Sequence, residues 1–384
     1  SALAAGGTII CTQYLGQKNH EMANKSARQA LFIITAISVF IVVLGLAFRA
    51  PLLSFIFGKV DADVMKNSMV YFFYTVLSYP FIALYDAGAS IFRAQENTRG
   101  PMVISIISNV MNIVGNGILI WVFHMGVAGA AISTLVSRIF CAVVVLYQLR
   151  KDRQPIVVRD YLKIRPDGKM IGRILALGIP SGIENSMFQL GKLAIQSTVS
   201  TLGTTAIAAQ AMTNMLEMLN GTAVIGVGIG LMTVVGQSLG AGKKDEAVYY
   251  MKKLMIFSEV FLIACCAVVY VLARPITMIG GMEAKSAEMC LDMMFWITIV
   301  KPIVWMFAFI PAYGMRAAGD VKFSMITSCI TMWTFRFCLC VYLIRVCGMG
   351  PMAVWIGMFT DWTVRAIVFG LRFKSGKWME HKVV

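Results

Sequence analysis

Long apolar runs recur along the whole chain, and short polar connections separate them. Ten runs reach or approach the roughly 20 residues that a helix needs to cross a bilayer: 30–48, 69–92, 102–123, 127–148, 171–202, 206–239, 255–272, 289–315, 323–344 and 351–371. A further apolar run at 2–15 is too short to cross. Gly and Pro are embedded in the runs, as is usual where neighbouring helices satisfy freed backbone groups. The pattern predicts an all-α integral membrane protein.

The same sequence elements occur twice, about 224 residues apart. Three pairs carry the repeat: Gln13-Tyr14-Leu15-Gly16 and Gln237-Ser238-Leu239-Gly240; Tyr79-Pro80 with Arg93-Ala94 and Lys301-Pro302 with Arg316-Ala317; Met125-Gly126 and Met349-Gly350. A fixed period indicates a duplicated bundle, which in a membrane chain is typical of transporters with a site between the repeats. We predict two pseudo-symmetric six-helix lobes, an N-lobe over 1–150 and a C-lobe with a basic tail over 171–384. A cytoplasmic linker over 151–170 joins them.

The repeat also predicts sequence ahead of Ser1. The helix that begins near Ile171 has its counterpart about 50 residues before Ser1, if the period is kept. We therefore expect a twelve-helix parent protein. This chain would hold about ten full helices and the end of the second, with helix one missing.

Basic residues concentrate in alternate connections. The chain has a formal net charge of +15 and is 58% hydrophobic. Nucleic-acid-binding proteins are also basic, but here Lys and Arg lie in every second connection, in the linker and in the tail. This positive-inside pattern predicts a multi-pass protein of the cell (inner) membrane with a cytoplasmic C-terminus. We expect a monomer in contact with membrane lipid, without a nucleic-acid partner.

Three asparagines lie in one apolar run: Asn109, Asn112 and Asn116. Polar groups inside a membrane are costly, so each is a functional candidate. Asn112 and Asn116 are four residues apart and share a helix face. Their carboxamide oxygens suit coordination of a hard cation or a proton-relay network. The alternative is amide hydrogen bonding that joins two helices.

Two polar stripes follow helical spacing in the second half. The first contains Ser181, Asn185, Gln189, Lys192 and Gln196, with Glu184 beside it, and the second contains Gln210, Asn214, Glu217 and Gly221, with Met215 adjacent. Faces this polar must contact a partner helix or water. A solvated substrate cavity accounts for both stripes, lined by Glu184, Asn185, Gln189, Lys192, Gln210, Asn214, Met215 and Glu217. The alternatives are a structural ion pair between Lys192 and Glu217, and simple packing of Met215.

Other charges within the runs have mainly structural interpretations. Asp361 and Arg365 are four residues apart, and Arg336 can join them in a network. Lys301 precedes a proline near the middle of its run and is a candidate cavity or hinge residue. Glu259 has no partner evident from the sequence.

Common enzyme motifs are missing from the sequence. It has no Gly-Lys-Ser/Thr phosphate-binding loop and no metal-protease motif. The nine cysteines show no metal-ligand spacing. We expect no enzymatic activity, no cofactor, and no metal beyond a coupling Na⁺.

These features resemble the multidrug and toxic compound extrusion (MATE) family of transporters. The resemblance rests on the repeated Gln-x-Leu-Gly elements and on three further matches to family motifs. Arg93-Ala94 and Arg316-Ala317-Ala318-Gly319-Asp320 match its Arg-Ala/Gly-x-Gly-Asp turn, and Gly178-Ile179-Pro180-Ser181-Gly182 matches its helix-seven entry. The resemblance covers essentially the whole chain.

The resemblance implies twelve helices in two lobes and drug efflux coupled to inward flow of Na⁺ or H⁺. The family's N-lobe cation site uses an Asp on helix one, two polar residues four apart on helix five, and a hydroxyl on helix six. Asn112, Asn116 and Thr134 match the last three, and the Asp would precede Ser1. Some relatives carry an acid on helix ten, where this chain offers Lys301 and no Asp.

The sequence therefore predicts a secondary active multidrug efflux antiporter. It would export amphipathic, often cationic, organic compounds in exchange for Na⁺ or H⁺, with Glu184 and Glu217 attracting the cations. One alternative is a lipid-linked oligosaccharide or peptidoglycan-precursor flippase of the same superfamily, which needs a strongly cationic cavity. The other is a non-transporting membrane scaffold, which needs neither polar stripes nor matched lobes.

Overall fold

The computed structural model describes residues 2–57, 61–151, 154–159, 161, 164–381 and 383–384. Five residues of the predicted linker and one of the predicted tail lie outside the described residues: Asp152, Arg153, Asp160, Leu162, Lys163 and Lys382. Every regular element in the described ranges is helical, which confirms the all-α prediction. The helices divide between two compact units, Ser1–Gly178 and Ile179–Val384. The predicted boundaries at 150 and 171 stay a prediction.

Unit 1 is a bundle in which α1 packs on α2 and α5, and α7 packs on α4, α5 and α6. Its helices are α1 (Ala2–Gly16), α2 (His20–Ala47), α3 (Arg49–Phe57), α4 (Ala62–Leu77), α5 (Tyr79–Ala94), α6 (Arg99–Gly117) and α7 (Gly126–Leu149). A π-helical segment, Ile118–Val122, extends α6. Pro80 lies in the first turn of α5, where a missing N–H leaves no hydrogen bond unmade.

Unit 2 is a second bundle, in which α9, α10 and α11 pack together and α14 packs on α11. Its helices are the end of α8 (Gly168–Val199), then α9 (Thr204–Gly240), α10 (Lys244–Ile279), α11 (Ala284–Ala317), α12 (Val321–Thr331), α13 (Leu339–Arg345) and α14 (Met352–Lys374). A second π-helical segment, Met332–Cys338, joins α12 to α13. Each unit thus contains one π-helical segment in its described residues.

Nine helices in the described part of the chain are long and apolar enough to cross a membrane. They are His20–Ala47, Ala62–Ala94, Arg99–Val122, Gly126–Leu149, Thr204–Gly240, Lys244–Ile279, Ala284–Ala317, Val321–Arg345 and Met352–Lys374. The tenth predicted span, 171–202, was wrong on this criterion. It does form a helix, α8, but the polar stripe between Ser181 and Gln196 lowers its hydropathy. The chain is a multi-pass membrane protein.

The duplication predicted from sequence is confirmed in the backbone of the turns. Lys18 follows α1 with φ 59°, and Gly242 follows α9 with φ 74°, at the same position of the repeat. Equivalent backbone hydrogen bonds close the two turns. His124, at φ 51°, and Gly348, at φ 64°, form a second such pair. Side chains differ at these positions, so the repeat preserves the turn geometry.

The connection between α7 and α8 is held against unit 1 by side chains that bind its backbone. Gln95 Oε1 accepts a hydrogen bond from the Ile156 N–H at 2.9 Å, and Asn24 Oδ1 accepts one from the Val157 N–H at 2.7 Å. The Ile156 side chain is fully buried. These contacts satisfy backbone groups that would otherwise be lost to the interior.

The end of this connection is fixed by an ion pair at the start of α8. Lys25 Nζ lies 2.5 Å from Asp167 Oδ2, and Asp167 Oδ1 accepts a hydrogen bond from the Met170 N–H. The hydrogen bond from Lys25 lowers the pKa of Asp167 below its ordinary value. This stabilisation is therefore present above the ordinary pKa and is lost as pH falls through the lowered one. Nearby, burial raises the pKa of Tyr161 to about 12.

Candidate functional site

In unit 1, a chain of hydrogen bonds joins α6 to α7. Asn116 Nδ2 donates to Asn112 Oδ1 at 3.3 Å, and Asn112 Nδ2 donates to Thr134 Oγ1 at 3.2 Å. Thr134 Oγ1 donates in turn to the Ala130 carbonyl at 2.9 Å. We call Asn112, Asn116 and Thr134 the Asn112 node. The structure thus brings together the three residues that the sequence predicted for a cation site.

One oxygen of the Asn112 node is free. Asn116 Oδ1 is buried and has no hydrogen-bond partner among the described residues. A buried, unsatisfied carbonyl oxygen costs free energy that a cation or a proton donor can recover. Asn109, the third asparagine of α6, is exposed and is not part of the hydrogen-bonded chain.

In unit 2, the centre of α11 holds a buried cation. Lys301 has no exposed side-chain surface, and its Nζ donates to Glu217 Oε1 at 2.5 Å, to the Glu217 carbonyl at 3.1 Å and to Asn220 Oδ1 at 2.8 Å. The ammonium also lies 5.2 Å from the Trp305 ring centroid. We call Glu217, Asn220, Lys301 and Trp305 the Lys301 cluster. An ammonium has three N–H donors, and here each has an oxygen acceptor.

The predicted pairing of Glu217 with Lys192 is therefore wrong. The sequence offered Lys192 because it is a basic residue on a neighbouring polar stripe, whereas Lys301 lies further along the chain on α11. Lys192 is exposed, and its Nζ lies 5.0 Å from the Phe188 ring centroid. No ion pair to Lys192 occurs among the described residues.

Glu184 is also paired. Its Oε1 accepts a hydrogen bond from Arg316 Nη2 at 2.7 Å, so α8 is tied to α11 by an ion pair. Both carboxylates that the sequence assigned to the attraction of cations, Glu184 and Glu217, thus have a basic partner within unit 2. The expectation that they attract cationic compounds assumed free carboxylates and is corrected by these pairs.

The network of Asp361, Arg365 and Arg336 is confirmed. Asp361 Oδ1 accepts from Arg365 Nε at 2.7 Å, and Asp361 Oδ2 lies 2.7 Å from Arg336 Nη2, without the alignment of a hydrogen bond. Arg365 also donates to the Ser328 hydroxyl and carbonyl. Two guanidinium groups therefore share one buried carboxylate, which leaves an excess of positive charge.

The remaining residues of the predicted cavity differ in exposure. Gln210 is buried, accepts from Trp355 Nε1 and donates to Asn214, each at 3.2 Å, so it joins α9 to α14. Asn185, Gln189 and Asn214 are exposed. Met215 has 64% of its surface exposed, which excludes the alternative of simple packing.

Sequence reasoning missed the partners in these clusters. It treated Lys301 as a hinge candidate and did not single out Asn220 as a partner for it. The missing signal is distance along the chain, because α9 and α11 are separated by a whole helix. Glu259, for which the sequence suggested no partner, has a buried Oε2 without one among the described residues. The same part of the chain contains no group of three His, Cys, Asp or Glu that could hold a metal ion.

The duplicated bundles, with polar and charged groups inside their spans, define an integral membrane protein of transporter type. A family model, MatE, matches residues 1–118 and 180–342, and the chain belongs to this family.

Two bacterial relatives match nearly the full chain. It is 24% identical to the probable multidrug resistance protein NorM of Thermotoga maritima, over 100% of this chain and 82% of that protein. It is 27% identical to the uncharacterized transporter YisQ of Bacillus subtilis, over 99% of this chain and 84% of that protein.

Solved structures share the fold. The outward-facing conformation of a multidrug resistance MATE family transporter of the MOP superfamily matches with a TM-score of 0.90. It is 18% identical, over 98% of this chain and 84% of that one. A crystal structure of MATE in complex with MaL6 matches with a TM-score of 0.89 at 18% identity, over 98% and 85% of the two chains. The likeness confirms the predicted helical fold.

Proposed function

We propose that the protein is a secondary active exporter of amphipathic organic compounds, driven by exchange for Na⁺ or H⁺. Its relatives include proteins named as probable multidrug resistance proteins, which supports transport of varied organic compounds. The observation that carries the ion coupling is the Asn112 node with its free Asn116 Oδ1. The proposal needs no enzymatic chemistry and no cofactor.

The Asn112 node suits a small cation because it presents oxygens on one side of the α6–α7 contact. Asn116 Oδ1 is free, and Asn112 Oδ1 and Thr134 Oγ1 each have a further lone pair. Na⁺ is a hard cation that oxygen ligands hold, and a hydronium or a protonated neighbour would use the same acceptors. The node therefore supports coupling to either ion.

Exchange follows if the ion and the organic compound prefer different conformations of the protein. A ligand can shift a conformational equilibrium only by its difference in affinity for the two states. A cation at the Asn112 node would favour one state, and a compound bound to the polar face of α8 and α9 would favour the other. The two ligands then compete through the conformation and move in opposite directions.

The node makes a specific prediction for Asn116. Asn116→Ala in the full-length protein should weaken ion-driven efflux, because it removes the free acceptor and the donor to Asn112. Asn109→Ala is the matched control, since Asn109 lies on the same helix but outside the hydrogen-bonded chain. The measurement is drug efflux from cells that express each variant, with the Na⁺ and pH gradients varied separately.

Undiminished ion-driven efflux by Asn116→Ala, at equal expression, would remove the coupling role from the node. An equal loss in Asn109→Ala would contradict it as well, because polarity of α6 in general would then be responsible. Thermal unfolding of both purified variants shows whether either substitution acts through folding.

A further inference from the structure

We propose that the residues around Phe188 in unit 2 form a binding site for the anionic group of an amphipathic organic compound. The site consists of Phe188, Lys192, Trp333, Arg336 and Phe337, and we call it the Phe188 site. The inference names a substrate class for the transport activity proposed above and therefore rests on it.

Two cations border one aromatic ring in the Phe188 site. Lys192 Nζ and Arg336 Cζ each lie 5.0 Å from the Phe188 ring centroid. Lys192 is exposed, whereas Arg336 has only 2% of its surface exposed. An ammonium on a helix inside a membrane must face water or a counter-charge. Lys192 has neither an acidic partner nor a hydrogen-bond partner among the described residues, so its counter-charge is open to a ligand.

The surrounding acids do not neutralise this charge. Asp361 is shared between Arg336 and Arg365, which leaves one positive charge over in that network. Glu184 and Glu217 are held by bases of their own, Arg316 and Lys301. With Lys192, the site and its network have two more positive charges than negative ones.

Buried donors without acceptors are the second, independent observation. Arg336 Nε and Trp333 Nε1 are both buried and lack hydrogen-bond partners in the described part of the chain. A buried N–H group without an acceptor costs about 1–3 kcal/mol, so native proteins rarely leave one unless a ligand supplies the acceptor. Both groups are donors only, and an anionic oxygen is the acceptor that suits them best.

The backbone presents these donors in an unusual way. Trp333 and Arg336 lie in the π-helical segment Met332–Cys338, and such segments occur frequently at functional sites. Gly357 of α14 lies against this segment: a Cβ at position 357 would be 2.8 Å from the Arg336 carbonyl oxygen. The close approach of α14 also brings Asp361 to Arg336, so the guanidinium group is held in place on one side only.

Aromatic side chains complete an amphipathic site. Phe188, Trp333 and Phe337 pack against one apolar cluster in unit 2, and the Trp333 and Phe337 rings are 5.3 Å apart in an edge-to-face arrangement. These rings can contact the apolar part of a ligand while the donors bind its carboxylate, sulfonate or phosphate. A cationic compound would meet repulsion from Lys192 and no free acceptor from these donors.

Binding of two charged dyes by the purified full-length protein in lipid nanodiscs tests this site without any ion gradient. Fluorescence polarisation would compare fluorescein, an organic anion, with rhodamine 6G, an organic cation. Lys192→Gln should weaken fluorescein binding by about tenfold, the cost of one lost hydrogen bond to a charged group. It should tighten rhodamine 6G binding, since a like charge is removed. Lys192→Arg should retain most of the fluorescein affinity.

Two further variants sharpen the comparison. Lys253 is the matched control, because it is an exposed Lys whose Nζ also lies over a neighbouring ring, 5.6 Å from the Tyr249 centroid. Lys253→Gln should change neither affinity. Trp333→Phe keeps the ring but removes the N–H, and it should weaken fluorescein alone. Arg336 is left intact, because its loss would change the charge balance of buried Asp361.

Three outcomes would overturn the site. They are an unchanged fluorescein affinity in Lys192→Gln, equal losses for both dyes, and the same loss in Lys253→Gln. Competition by octanoate or by farnesyl diphosphate supports the site and shows whether an organic acid or a lipid phosphate is the better ligand. If neither displaces fluorescein, the proposal fails. Since no gradient is used, a protein that binds fluorescein but shows no ion-driven efflux would contradict only the proposed function.

Discussion

Lys301 places a full positive charge at the centre of α11, with no side-chain surface exposed. The position is tolerated because Glu217 and Asn220 supply an oxygen to each N–H of the ammonium. The Trp305 ring adds a cation–π contact. A buried charge is costly unless it is paired and fully hydrogen-bonded. The Lys301 cluster therefore ties α9 to α11 by a contact that depends on both partners.

Removal of one partner should destabilise the protein more than removal of both. Lys301→Met should lower the free energy of unfolding by about 3–5 kcal/mol, since it leaves Glu217 without its counter-charge. Lys301→Met combined with Glu217→Leu should recover part of that loss. Denaturant unfolding of the purified proteins, followed by Trp fluorescence, gives the double-mutant cycle. Lys253→Met is the control for loss of an exposed Lys, and additive effects of the two substitutions would contradict the account.

At the scale of elements, the repeat preserves turns and helix irregularities more closely than side chains. Lys18 and Gly242 have the same left-handed backbone after α1 and α9. Each unit also has a π-helical segment beside a candidate site. Ile118–Val122 follows the Asn112 node, and Met332–Cys338 contains Arg336. Duplication thus supplied both halves with an irregular helix next to polar groups.

The turn after α9 gives a test of this backbone geometry. Gly242 has φ 74° and open space around the position of a Cβ, so a side chain there meets strain and no clash. Gly242→Ala should therefore lower the free energy of unfolding by about 1–2 kcal/mol. Gly172→Ala, at an exposed helical glycine with equally open surroundings, should stabilise the protein by up to about 1 kcal/mol.

Thermal or denaturant unfolding of the two Ala variants measures both effects under the same conditions. Lys18→Gly is the reciprocal change in unit 1 and should not destabilise, because it relieves the strain at φ 59°. The same sign of effect at Gly242 and Gly172 would contradict the left-handed turn.

At the scale of the whole molecule, the sequence predicts the architecture well and the charge pairs poorly. Apolar runs and a fixed period specify helices and their duplication, because bilayer thickness and tandem repeats leave patterns that are local or regular. The Asn112 node was predictable because Asn112 and Asn116 share a helix face. The partner of Glu217 was not, since packing of α9 on α11 has no signature in either segment.

The polarity of the second unit shows the consequence of that limit. From the sequence, Glu184 and Glu217 are free carboxylates that attract cations, whereas in the structure each has a basic partner. Lys192 and Arg336 are left with the excess charge. The π-helical segment that carries Arg336 also lacks a sequence signal, because an i→i+5 turn uses the same residue types as an α-helix. Substrate preference therefore had to come from tertiary contacts.

The central claim is that ion and organic compound are exchanged by one protein, and reciprocity tests it most directly. Coupled binding equilibria act in both directions. The purified full-length protein would be reconstituted in proteoliposomes, and a gradient of a compound that cells export would be imposed with no ion gradient present. The account predicts movement of Na⁺ or H⁺ against the compound, recorded by an ion-sensitive dye inside the vesicles, and loss of that movement in Asn116→Ala. Movement of the compound with no ion flux of either kind would contradict the account.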